Sequence, residues 1–295
     1  VFGGASIIPT VSDVLPDTAV FALDEGNLIL NTGIKDTIGA LRGTGSSYIQ
    51  MGTNTVLRLV QSSEQSYYGM INAVTNSTLI KDGGSNILIR NTMTNFQGNV
   101  VINRGAVRLV DVTGAMRLVP RFIATNGTLW LDSQPGADSA NQSDRVGQEA
   151  DVILNSGTII LGGSRNADTA ENIGDLVFQS GFSTVQIDAD NLFNNFAYLN
   201  PNTFLRSNAA TAFIRGEQLG EPYTATTNYY SRLAKDRGQA NPTLALTAPI
   251  SGSNTPSVGI VHWAYGQEDS RAAGLVQSNL GLVTYDRTTN SAGAE

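Results

Sequence analysis

The chain has 295 residues, with 25 Asp+Glu against 18 Lys+Arg, a single His and no Cys, and more than a third of it is Gly, Ser, Thr and Asn. Without cysteine there is no disulfide framework, thiolate metal site or cysteine nucleophile, and one histidine excludes a zinc site built from several. A formal charge of −7 argues against a nucleic-acid binder, and apolar runs such as Ala19–Leu23 fall far short of the roughly 20 residues of a membrane-spanning helix.

The first segment, 1–16, reads as an N-terminal extension whose apolar start, Val1–Ile8, is suited to adding as a strand to a neighbour. No basic stretch followed by an apolar core precedes it, and we expect a processed product or an excised segment. From 17 to 195 short alternating bursts recur: Gly26–Leu30, Ser85–Ile89, Gly105–Leu109, Gly127–Leu131 and Gly157–Leu161. In each, two aliphatics at alternate positions face one side of a strand. The glycine that precedes them is expected to supply a positive φ for a tight bend. Units at 20- to 30-residue spacing are the signature of a solenoid. A longer repeat joins Ala22–Leu30 to Ile153–Leu161 and Ile38–Leu41 to Ile173–Leu176, with an offset that grows by four residues. Asn86, Asn91, Asn95, Asn99 and Asn103 fall near expected corners, as left-handed turn formers or as stacked ladders. From 196 to 295 the coils continue with longer excursions, interrupted by Pro222, Pro242, Pro249 and Pro256. The expected fold is all-β, a parallel β-solenoid with a loop-rich C-terminal part.

Thr78–Ile89 runs into Asn95–Leu109 with Lys81, Gly84, Asn95, Phe96, Gly98 and Gly105 at characteristic places. This stretch resembles the autotransporter-associated β-strand repeat, also called the passenger-associated transport repeat, departing from it at Ser85, where glycine is more usual. Flanking segments from Thr37–Gly45 to Val283–Asp286 resemble coils of large family members. The resemblance implies a right-handed single-stranded parallel β-helix in a secreted or surface-displayed bacterial protein.

Candidate chemistry is sparse. Asp188 and Asp190 alternate, and so would share a side of a strand as a general acid–base pair, as ligands for a hard cation such as Ca²⁺, or as solvent-facing acids. Asp24–Glu25 and Glu268–Asp269 are weaker carboxylate pairs, and His262 beside Trp263 reads as a structural histidine. Trp130 alternates with Leu129 and Leu131 and should point outward, where it would stack on a sugar, bury at an interface or lie under a loop. Tyr229 and Tyr230, like Tyr67 and Tyr68, carry the same choice. The leading expectation is a non-enzymatic extracellular structural or adhesive protein, pairing with itself or with neighbouring repeats through ends that show no obvious caps. A polysaccharide-binding or polysaccharide-degrading passenger, with surface glycans as partners, is the alternative. A virion or tail fibre is the third.

Overall fold

Strands of mostly four or five residues follow one another around three faces of a parallel β-helix, seen in a computed structural model that describes residues 4–134, 143–164, 167–189 and 196–216, with strands at 230–233, 243–244, 258–269, 278–286 and 291–294. The described residues contain no helix. Winding proceeds from face III to face I to face II and back to III. The first full turn shows the order: Val20–Leu23 on III, Asn27–Leu30 on I, Lys35–Ile38 on II and Ala40–Gly43 on III again. In middle coils face I shrinks to single bridges, Thr92 to Ala115 and Met116 to Val146. Strands Thr169–Ile173, Phe196–Pro201 and Tyr230–Leu233 then take up its place in the winding.

Period-two alternation builds the interior. On face II the column Leu57, Leu79, Val100, Phe122, Val152, Leu176 and Phe204 stacks in parallel register, giving coils of 21 to 30 residues. Beside it runs Ile38, Leu59, Lys81, Ile102, Ala124, Leu154 and Phe178. These side chains are almost wholly buried, and each large aliphatic contributes about 1.5–3 kcal/mol of burial.

Lys81 is the charged intruder in that column. Its Nζ donates to the carbonyls of Asp82 (2.7 Å), Gly83 (3.0 Å) and Arg104 (3.0 Å), across the corner that joins face II to face III. Three acceptors replace its water, as a buried ammonium requires. Burial still lowers its pKa to about 8, against the opposing pull of Asp82.

The corners correct the expected role of glycine. Positive φ falls on the residue before the glycine: Glu25 (63°), Asn126 (57°) and Ser156 (52°) precede Gly26, Gly127 and Gly157. Among the quoted glycines only Gly105 (64°) is itself left-handed. Gly127 and Gly157 are glycine because the coil below is too close: a Cβ would lie 2.5 Å from the Ile102 carbonyl oxygen and 2.3 Å from that of Ala124. None of the five asparagines quoted above takes a left-handed φ; Asn54, Asn76, Asn126 and Asn208 do. The 131–135-residue repeat does not put like face on like face either. Ala22–Leu30 turns from face III to face I, whereas Ile153–Leu161 turns from II to III. What repeats is a strand–corner–strand motif used at two different corners.

Residues 4–16 cover the start of the stack. Ser6–Ile7 pairs in parallel with Asn27–Leu28. The carboxylate of Asp36, at the foot of an interior column, accepts the amides of Val14 and Leu15. Ser12 Oγ accepts the Lys35 amide, and Pro16 O accepts that of Gly39. On faces I and II the edge that reads as uncapped in the sequence is therefore occupied by the chain itself. At the other end the pairing turns antiparallel: 258–269 with 278–286, then 278–286 with 291–294, which also bridges to 230–233.

Candidate functional site

The corner from face III to face I carries the longest connections. Its first connections are short, two residues between Tyr67 and Met70, but 13 residues separate Asp132 from the bridge at Val146 and 13 separate Gly216 from Tyr230. The opposite corner, from II to III, takes one to four residues in every coil up to Thr211. Long excursions from a rigid scaffold are the usual carriers of binding function.

A buried polar cluster forms the foot of the first excursion. Arg145, 1% exposed, donates from Nη1 to Gly114 O (2.7 Å), from Nη2 to Asp111 O (2.8 Å), and from Nε and Nη2 to Ser133 Oγ (3.2 and 3.1 Å). Its own amide donates to both oxygens of Glu171 (3.0 and 2.8 Å). Glu171 lies on the interior side of Thr169–Ile173 and is fully buried, which pushes its carboxyl up to about 8 despite the amides of Arg145 and Val146 and the nearby guanidinium. Asp132, also fully buried, accepts Arg108 Nε (2.6 Å) and the Gln134 amide (3.0 Å). The cluster ties the excursion's return to three successive coils. Its groups face one another, so it is built for holding.

Outside this cluster, Trp130 stands on the outer side of Thr128–Asp132, half-buried between inward Leu129 and Leu131, as alternation predicts. The Arg108 guanidinium lies 4.0 Å over its ring, so one face is already covered, and its Nε1 is buried without a partner. Tyr67 points into the core while Tyr68 is exposed beneath Arg90, which also pairs with Asp111. Asp188 is 7% exposed and accepts Gln186 Nε2 (2.6 Å). Asp190 and Tyr229 lie outside the described residues, as do the side chains of Tyr230 and His262. Tyr230 opens a strand paired with Phe196. Among the described residues no group of three or more His, Asp or Glu side chains is placed to hold a metal ion.

The repeat residues have separate physical roles. Phe96 is buried and bridges to Ala73; Asn95 is exposed, and its carbonyl accepts the Ala73 amide. At Gly98 a Cβ would come 2.4 Å from Ser77 Oγ, and at Gly105 2.3 Å from Ser85 O. Gly84 has open space around it. Side-chain ladders do occur, at other positions: Asn200 Nδ2 donates to Asn172 Oδ1, and Asn172 Nδ2 to Asp144 Oδ1.

Sequence reasoning missed Arg145 and Glu171. Alternation with Thr169 and Ile173 was a signal that Glu171 turns inward; Arg145, in an irregular stretch, had none. No family matches the chain, and no curated protein or solved structure is similar to it.

Proposed function

We propose that the protein is an extracellular structural or adhesive β-helix, akin to an autotransporter passenger on a bacterial surface, that works through its shape and surface. One observation carries this reading: the polar side chains of the stack link coil to coil. Arg58 binds Asp82, Arg90 binds Asp111, Arg108 binds Asp132, Asn172 binds Asp144 and Thr203 binds Asp175, each across one coil. Acids used in this way maintain a rigid rod. The placement of Lys81, Phe96, Gly98 and Gly105 supports the resemblance to the passenger-associated repeat. The experiment is surface labelling with an antibody raised against the purified chain. Labelling of intact cells of the source organism is the expected result; labelling only after permeabilisation overturns the reading. Incubation with a panel of polysaccharides, read as released oligosaccharide, tests the enzymatic alternative, and sustained release would replace the structural reading.

A further inference from the structure

Face II carries an outward apolar stripe that the interior does not need. Ile80, Val101, Ile123, Ile153, Val177 and Leu205 occupy one outward column in six successive coils, in register, each half-buried. Outward positions of a solvated sheet are normally polar, and a contiguous aliphatic patch marks a contact surface. At the 4.8 Å strand spacing the stripe is about 24 Å long. Polar columns flank it, with Thr78, Asn99 and Arg121 on one side and Asp82, Asn103 and Thr125 on the other.

Nothing in the described chain covers this face. Both of its corners are short, with one to four residues from face I to II through Thr203 and from II to III through Thr211. The long excursions leave from the far corner. At the first end of the stack, residues 4–16 cover the edges of faces I and II.

Charge decides which partner fits. In the flanking column Arg121 and Asp151 are neighbours in the two central coils. Arg121 is exposed and makes no ion pair among the described residues, while Asp151 is half-buried and accepts the Asp175 amide. A two-fold axis along the strands, midway between Ile123 and Ile153, lays the stripe on its own copy with the coil order reversed. Arg121 of each copy then faces Asp151 of the other, giving two reciprocal pairs at the centre. With the two stacks running in the same direction, Arg121 would instead face Thr125, and the pairs would be lost. A face one strand wide and six coils long buries on the order of 1,000 Å² over both copies, at the lower limit for a specific interface.

We propose that face II is a homotypic interface, through which two copies associate face to face and antiparallel over the stripe centred between Ile123 and Ile153. The proposal does not depend on where the rod is displayed. A monomer would overturn it while leaving surface labelling unchanged.

The test is sedimentation velocity of the full chain from about 1 µM to about 1 mM, with circular dichroism to confirm the fold. A reversible monomer–dimer equilibrium is expected, weakened at least tenfold by Ile153→Lys. Arg121→Asp should weaken it as well, and Arg121→Asp combined with Asp151→Arg should restore it. A monomer at all concentrations overturns the proposal and leaves the stripe to a different protein. A dimer insensitive to Ile153→Lys overturns it too. A dimer sensitive to Ile153→Lys but indifferent to Arg121→Asp refutes the antiparallel arrangement.

Discussion

The two corners that bound face III obey opposite rules. From face II to face III the chain turns in one to four residues in each coil, and Gly39, Gly83, Gly105, Gly127 and Gly157 press there against the backbone of the coil below. From face III to face I it turns in two residues at Tyr67 and in 13 after Asp132, where Arg145 and Glu171 hold the foot of the excursion. One corner is fixed by close approach of backbone to backbone and stays within four residues. The other is held by buried polar side chains and takes connections from two to 13 residues long. A coil stack can thus vary its surface at one corner while keeping its register through another.

The sharpest way to break this contrast is insertion. One extra residue between Asn126 and Gly127 should displace Gly127 from its close fit against the Ile102 carbonyl and cost on the order of 4 kcal/mol, read in urea unfolding. Several Gly-Ser residues added within 135–142 should change stability by less than about 1 kcal/mol in urea unfolding. Next in size is Arg145→Met, expected to cost about 3 kcal/mol, because it leaves Gly114 O and Asp111 O without their donors beside a buried acid. Limited proteolysis should then cut first between 133 and 145. Gly157→Ala should destabilise by about 2 kcal/mol through its contact with Ala124 O, whereas Gly84→Ala should stay within about 0.5 kcal/mol.

The pH profile tests the buried charges themselves. Glu171 has a folded pKa of about 8, above its ordinary 4.5, so its contribution is full below pH 4.5 and is lost as pH rises through 8. Lys81 has a folded pKa of about 8, below its ordinary 10.5, so the folded state binds fewer protons than the unfolded one between these values, and stability gains as pH climbs from 8 to 10.5. The two groups together place a minimum near pH 8 in the thermal midpoint. Glu171→Gln should flatten the acid limb and Lys81→Met the alkaline limb. An unchanged profile in both variants would show that neither group titrates differently on folding.

Much of this architecture was legible in the residues. Alternation in Gly105–Leu109, Gly127–Leu131 and Gly157–Leu161 reports strands buried on one side, and their spacing reports coils, because both are local consequences of backbone geometry. The reason for the glycines was not legible, since a clash with Ile102 or Ala124 involves a coil more than 20 residues away. The long repeat misled for a related reason. Corners of different faces ask for the same local residues, so Ala22–Leu30 and Ile153–Leu161 look alike without being equivalent. The buried cluster escaped because Arg145 sits in an irregular connection where no period applies. Asp188 was read mainly as a solvent-facing acid, yet it is nearly buried at the end of its strand.

The reach of Arg145 also sets an order of events during folding. Most coils touch only the next one, 21 to 30 residues along, so the chain can wind by closing one modest loop after another. Arg145 links three of these coils at once: it reaches back 31 residues to Gly114 and 34 to Asp111, in the coil before, while its amide donates to Glu171, 26 residues ahead, in the coil after. Its bonds close together only when three coils are in place. Until residue 171 is in place, a stack grown to this point ends in an open strand edge, where mispairing is easiest.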